Sequence, residues 1–275
     1  MAIIPGLSVP APERLRRRYG LFDAASGPID LPTTGEGGGV RFVPVCGEAY
    51  AYGVNCYNGE VSAPDKPMDG QSGEVESGVF VALATLNCGA VGYTDEEQRQ
   101  MVLRRLEGTE QAAVERALWT GQDFEGNSLG IQSLSGEAET VPMPGLTDLL
   151  ITDVVGALER YAYTEHQYGG VAYIHAPIEV AASAAEAGLI VPEGPGPNAR
   201  KLTPMGSVWV FGAYPAGHVI VTGQTTVWRA PEIQVYNAFE RPTNEVIMVA
   251  ERAYAVAFEC FAGRVTFNPL EEVGS

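Results

Sequence analysis

Residues 94–119 read TDEEQRQMVLRRLEGTEQAAVERALW, and this stretch predicts one long α-helix. Thr94 and Glu97 are expected to form a capping box. In this motif the threonine hydroxyl accepts a hydrogen bond from the backbone N–H of Glu97, and the glutamate side chain accepts one from the backbone N–H of Thr94. Val102 and Leu106 mark an apolar face along the helix. At 1.5 Å per residue, the helix should be about 39 Å long and end near Trp119.

The region before this helix predicts a long β-hairpin. Residues 40–46 and 49–54 are rich in β-branched and aromatic side chains, and residues 79–86 form an apolar run of strand length. Residues 60–77 between them are rich in Pro, Gly, Ser and Asp. An arm of about 15 residues would reach roughly 50 Å, whereas a compact chain of this length has a radius of gyration of about 19 Å. We therefore expect the hairpin to project.

The first 39 residues differ from the rest of the chain. They hold five of the 19 prolines, end in GEGGG, and show no sustained hydrophobic period. Two interpretations stand: a disordered tail, or an extended arm that becomes ordered on a neighbour. The apolar residues in this segment favour the arm; they are Ile3, Ile4, Leu7, Val9, Leu15, Leu21 and Phe22.

The chain after the long helix alternates strands and helices. A strand at residues 171–174 leads into Pro177, which suits the first position of an Ala-rich helix ending at Gly188. Residues 245–261 alternate with a period of two and predict a long strand, although Val246, Val249 and Ala253 would also fit a helix. Further predicted elements are a helix at 147–163, strands at 208–211, 219–222 and 225–235, and residues 264–267 pairing back through Gly263 onto the long strand.

Composition limits the classes of function. The 275 residues include 17 Lys and Arg against 34 Asp and Glu, a net charge of −17. The electrostatic field of such a negatively charged protein repels polyanions, so binding of nucleic acid through the whole surface is not expected. No apolar run approaches the ~18 residues that cross a bilayer, and the opening residues are too short for a signal peptide. These features predict a cytoplasmic product.

The four cysteines, Cys46, Cys56, Cys88 and Cys260, form no CxxC pair. We expect free, buried thiols and no structural zinc site.

Motifs of catalysis are not evident. The sequence has no GxSxG elbow, P-loop or GxGxxG motif. His166, His175 and His218 form no HExxH or i, i+4 pair, and His175 is expected to be a satisfied structural residue. We expect no catalytic residue, no cofactor and no metal site.

Four of the 17 basic residues lie within five consecutive positions: Arg14, Arg16, Arg17 and Arg18. Two interpretations stand: these arginines contact an acidic neighbour, or they form a run of solvated charges. The net negative charge of the chain favours a protein partner over nucleic acid. Lys66, at the predicted hairpin tip, and Trp119, at the end of the long helix, are further candidates for contacts between subunits.

The order of these elements, together with two segments, resembles the major capsid proteins of tailed bacteriophages, in particular phages of actinobacteria. The segments are GVAYIHAPIEVA at residues 170–181 and NEVIMVAERAYAVAFE at residues 244–259. This shell fold is shared with encapsulins and the capsid floor of herpesviruses. The resemblance implies an α+β fold in five parts: an N-terminal arm at 1–39, an extended loop at 40–93, a peripheral domain at 94–144 with its spine helix at 94–119, an axial domain of sheet plus helices at 145–223, and returning peripheral strands at 224–275.

The resemblance also implies a function and partners. Many copies would assemble in the host cytoplasm, as pentamers and hexamers, into an icosahedral virion shell around double-stranded DNA, without reading its sequence. A scaffolding protein, a portal and a decoration protein are the implied partners; because the arm begins at Met1, we expect scaffolding to be separate or absent. An acidic inner surface of the shell would let the packaged DNA slide along it without sticking. Three alternatives stay open: an encapsulin-like compartment, a soluble β-rich enzyme, and a tail or baseplate component.

Some relatives in this family join subunits by an isopeptide bond between a loop Lys and an Asn. Lys66 is one of two lysines, and Asn237, Asn244 and Asn268 lie in the region of the acceptor. The alternative is that Lys66 is a solvated residue.

Overall fold

A computed structural model describes residues 17–25, 27–32, 38–47, 73–89, 93–143, 149–196, 199–240 and 245–267. Helices and strands are both well represented in this part of the chain, and the fold is α+β, as predicted. The helices are α1 (Leu21–Ala24), α2 (Asp95–Thr120), α3 (Leu134–Glu137), α4 (Ile151–Arg160), which continues as a π-helical turn (Tyr161–Glu165), and α5 (Val180–Glu186).

The strands are β1 (Ile29–Asp30), β2 (Val40–Phe42), β3 (Val75–Ser77), β4 (Phe80–Gly89), β5 (Glu139–Thr140), β6 (Tyr173–Pro177), β7 (Val191–Pro192), β8 (Lys201–Leu202), β9 (Val208–Gly212), β10 (Gly217–Thr222), β11 (Thr225–Arg229), β12 (Gln234–Glu240), β13 (Glu245–Phe258) and β14 (Ala262–Phe267).

The strands of the described residues form one five-stranded sheet, one seven-stranded sheet and one two-stranded ribbon. In the five-stranded sheet, β13 pairs with β11, β12 and β4, and β1 pairs with β11. The seven-stranded sheet has the order β5-β14-β10-β6-β9-β8-β7, and the ribbon consists of β2 and β3.

Helix α2 forms as the sequence predicts. Thr94 is the N-cap, and both hydrogen bonds of the capping box are present. The helix ends at Gly121, whose φ of +67° is the left-handed conformation that glycine adopts without strain. Its apolar face, which includes Val102 and Leu106, is buried against β4 and β13.

Two hydrophobic cores result from these layers. One lies between α2 and the five-stranded sheet and contains Tyr254 and Met248. The other contains the apolar face of α4 and the seven-stranded sheet, including Leu158 and Trp209. Two connections pass directly from one sheet to the other, β10 to β11 and β13 to β14, and the chain also crosses between β4 and β5 through α2 and α3.

The long strand predicted at residues 245–261 is confirmed as β13, but three local predictions are wrong. Residues 264–267 do not pair back onto β13; β14 pairs with β10 and β5 in the other sheet. Pro177 is the last residue of β6, paired with Gly212, and α5 begins three residues later, at Val180. The strand predicted at 225–235 is two strands, separated around Pro231, which has no N–H for a sheet ladder.

The last part of the predicted arm packs on its own chain. Leu21 and Phe22 of α1 and Leu31 beside β1 are buried in the protomer, and β1 pairs in parallel with β11. The expectation that these residues lie on a neighbour is therefore wrong. Residues 1–16 of the arm and the predicted hairpin tip lie outside the described residues. None of the described helices is long and apolar enough to cross a membrane.

Candidate functional site

The start of the described chain is anchored by a buried carboxylate. Glu115 of α2 is 0% exposed, and it pairs with the guanidinium of Arg17. It also accepts hydrogen bonds from the backbone N–H groups of Leu21 (3.0 Å) and Ala213 (2.7 Å). A buried charge needs such partners to offset its lost hydration. The contact holds the chain at Arg17 against α2.

The structure describes three of the predicted contact residues. Arg17 makes the ion pair with Glu115 and donates to the Phe211 carbonyl at 3.0 Å, while Arg18 is exposed. Trp119 is buried inside the protomer, and its ring centroid lies 5.3 Å from that of Tyr214. We therefore do not propose Trp119 as a contact to another subunit. Arg14, Arg16 and Lys66 lie outside the described residues.

Strands β2 and β3 pair as a ribbon within residues 40–93, the segment that the sequence predicts as an extended loop. Three residue pairs join the two strands, and Arg41 lies 2.6 Å from the Glu76 carboxylate and 3.4 Å from that of Glu74. These charges are exposed, so they contribute little to stability. The Phe42 ring lies 6.0 Å from the Trp228 ring of β11. The ribbon thus contacts the body of the protein through this aromatic pair.

The returning strand of the loop is held far more firmly than the outgoing one. The Ser77 hydroxyl donates to the Val256 carbonyl at 2.7 Å, and β4 then pairs with β13 over ten residues, from Phe80 to Gly89. After Phe42, the described residues 43–47 take part in no sheet pairing with other described residues. The described residues 43–47 and 80–89 therefore differ in their support, because the second segment is paired in a sheet and the first is not.

A disulfide joins Cys46 of this outgoing segment to Cys260, with the two Cα atoms 5.6 Å apart. The prediction of free, buried thiols is wrong for this pair, and Cys46 is also exposed. The two residues are 214 positions apart in the chain. Sequence spacing carries no signal for such a contact, since it depends on β13 returning to the base of the loop.

An exposed apolar row lies on the outer face of β4. Val81 is 48% exposed and Leu83 is 50% exposed, while the alternate residues Ala82 and Ala84 are buried beneath α2. Tyr236 on β12 is also 50% exposed. A second protein surface could bury these side chains, as happens at interfaces between subunits.

His175 is a structural residue, as predicted. It is completely buried, with Nδ1 3.1 Å from the Tyr214 hydroxyl and Nε2 3.1 and 3.2 Å from the hydroxyls of Thr222 and Thr225. Burial lowers its pKa to about 3, because the charged form would lose its hydration. The neutral ring thus joins β6 to the start of β11 by hydrogen bonds.

A small cleft of about 190 Å³ lies beside the disulfide, between residues 45–47 and 165–169. The described residues contain no group of three or more His, Cys, Asp or Glu side chains that could hold a metal ion.

No protein-family model matches the sequence, and no curated protein resembles it significantly. Its fold, in contrast, matches solved structures over nearly its whole length. A chain from Gordonia phage Cozz matches with a TM-score of 0.55 and 12% identity, covering 96% of this chain and 91% of that one. The capsid of an empty GTA particle with C5 symmetry matches with a TM-score of 0.56 and 13% identity, covering 97% and 95%.

A chain from Microbacterium phage Oxtober96 is similar in the same way, with a TM-score of 0.55, 11% identity, and coverage of 96% of both chains. The fold of this protein is therefore that of phage and GTA capsid proteins, and the fold resemblance drawn from the sequence is confirmed.

Proposed function

We propose that this protein is the major capsid protein of a tailed phage, which self-assembles into an icosahedral shell around double-stranded DNA. The observation that carries this proposal is the fold match, which extends over 97% of the chain and 95% of a capsid chain solved with fivefold symmetry. A match that is nearly complete in both directions leaves little of the chain for a separate activity.

The described surfaces support this proposal. A shell subunit needs an extension that reaches its neighbours and a body that receives theirs. The ribbon β2-β3 starts such an extension, and the apolar row of Val81 and Leu83 is a surface that a second copy would cover.

The proposed division of the protomer is the one that the sequence resemblance implies. Residues 1–39 form the arm, 40–93 the extended loop, 94–144 and 224–275 the peripheral domain, and 145–223 the axial domain. Strands β5 and β14 cross this division, because both belong to the seven-stranded sheet with the axial elements. Pentamers and hexamers, and a scaffolding protein, portal and decoration protein, remain proposed partners, with assembly in the host cytoplasm.

Size-exclusion chromatography of the purified protein, followed by negative-stain microscopy, tests this function. We expect closed shells that elute in the void volume. A stable species near the 29.2 kDa mass of one chain, at all protein concentrations, would contradict it. Particles purified from their native source distinguish a virion from an enzyme compartment: the first contains DNA and the second a cargo protein.

A further inference from the structure

We propose that Cys46 and Cys260 are an oxidation site that fixes the base of the extended loop: a dithiol during assembly and a disulfide in the released particle. The timing relative to assembly rests on the proposed function, while the pairing itself does not. The site consists of two described residues whose Cα atoms are 5.6 Å apart, a separation at which a disulfide forms without movement of the backbone.

The position of the bond in the fold gives it a mechanical effect. The returning strand of the loop is already held by the ten paired residues of β4. The outgoing strand has three paired residues in β2, and the described residues after Phe42 have no further sheet pairing with described residues. Without the disulfide, residues 43–47 can therefore turn away from the body. With it, both strands of the loop base are fixed.

The backbone at Cys260 is a second observation for a specific role. Its φ is +66°, in the left-handed region that favours glycine and disfavours residues with a Cβ. The disulfide is formed at this position of unusual backbone geometry. Gln167, which lines the adjoining cleft, also has a positive φ of 47°. Two strained residues at one cleft indicate that this local geometry is specified.

Exposure and compartment together determine when the bond forms. Cys46 is exposed, so dissolved thiols and disulfides reach it. Thiols of the cytoplasm keep such pairs reduced, whereas the surroundings of a released particle are oxidising. During assembly the open dithiol leaves residues 43–47 free to turn away from the body. Later oxidation fixes these residues in the one arrangement that places Cys46 beside Cys260.

The oxidant is a low-molecular-weight disulfide such as oxidised glutathione. The Cys46 thiol loses its proton, and the thiolate attacks one sulfur of the oxidant, which forms a mixed disulfide and releases one thiolate. The Cys260 thiolate then attacks the Cys46 sulfur and expels the second. Two electrons and two protons pass from the cysteines to the oxidant, which leaves as two thiols.

Peptide mass spectrometry tests the pairing and its timing. Cleavage after Glu separates the four cysteines completely, since Cys46, Cys56, Cys88 and Cys260 fall in fragments 37–48, 49–60, 77–96 and 260–271. Cells alkylated before lysis should give fragments 37–48 and 260–271 as separate alkylated peptides. Particles treated with oxidised glutathione should give them as one linked peptide.

Hydrogen exchange tests the mechanical effect. Reduction of oxidised particles should speed exchange in residues 37–48 several-fold. Cys46→Ser and Cys260→Ser should each show this faster exchange without reductant, and reductant should add nothing. Cys56→Ser is the matched control and should behave as the parent protein.

Three results would overturn the proposal: no linked peptide after oxidation, a complete linkage already present in alkylated cells, or unchanged exchange on reduction. Failure of the chain to form shells would contradict the proposed function and the timing, but the linked peptide would still decide the pairing.

Discussion

Arg252 on β13 donates a hydrogen bond of 3.1 Å to Glu110 on α2, and the two side chains join the long helix to the sheet that it covers. Glu110 is 2% exposed and also accepts from the Tyr254 hydroxyl at 2.7 Å. Burial and this hydrogen bond raise the pKa of the Tyr254 phenol. A charged group at the centre of an apolar contact fixes the register between helix and sheet, which packing alone specifies less strictly.

We expect Glu110→Ala to destabilise the protein by about 3 to 5 kcal/mol, because the variant leaves the charge of Arg252 buried without its partner. The control is Glu107→Ala, on the exposed face of the same helix. Thermal unfolding of the two variants measures the difference. Equal unfolding temperatures would contradict the importance of this contact.

A second prediction concerns Arg17, which pairs with the buried Glu115 at the start of the described chain. Arg17→Ala should lower stability by about 2 kcal/mol, through loss of a hydrogen bond to a charged group. Hydrogen exchange in residues 17–25 should become faster, because α1 loses one of its attachments to α2. Arg116→Ala removes an exposed arginine from the same helix and should change neither quantity. If both variants behave alike, Arg17 is not an anchor.

A third prediction follows from His175, whose pKa is lowered to about 3 by burial. In the unfolded chain its pKa is near 6.5. Between these values the unfolded state binds a proton that the folded state does not, so the free energy of unfolding falls as the pH falls from about 6.5 towards 3. The contribution is about 1.4 kcal/mol per pH unit.

Urea unfolding of the parent protein and of His175→Gln, at pH 7.5 and pH 5.0, measures this contribution. The variant lacks the titrating ring, so its stability should fall less on acidification, by about 2 kcal/mol. Parallel losses in the two proteins would show that His175 is charged, or exposed, in the folded state.

The sequence predicted the elements whose signals are local. The capping box at Thr94 lies at the start of α2, and the alternation in residues 245–258 lies within β13. These signals depend on hydrogen bonds to the backbone at the helix start and on the spacing of apolar side chains. Both can be read within a single segment of the sequence. Both elements formed where they were expected.

Partners distant in sequence were not predictable in this way. We assigned β14 to β13 because consecutive strands commonly pair, but Cys260 turns the chain away and Phe261 packs its ring against Tyr161, His166 and Tyr168. The disulfide depends on the same turn. Likewise, the burial of Leu21 results from the groove between α2 and β9, which exists only after the fold has formed.

The last prediction concerns the exposed row on β4. Leu83 is 50% exposed and lies opposite Glu251 of β13, and Val81 lies opposite Ala253. A second copy that covers these side chains would gain the free energy of burying them, about 25 cal/mol per Å² of apolar surface. Leu83→Glu would place a charge in that contact, so we expect assembly to need at least about tenfold more protein.

Leu83→Met keeps an apolar side chain of similar volume and should assemble like the parent protein. Circular dichroism shows whether Leu83→Glu remains folded, and Val81→Glu provides an independent variant where Glu251 is not the facing residue. Light scattering against protein concentration gives the assembly threshold of each. A folded Leu83→Glu protein that assembles at the parent threshold would show that this face of β4 stays exposed in the shell, and the contact between copies would then have to lie on other surfaces.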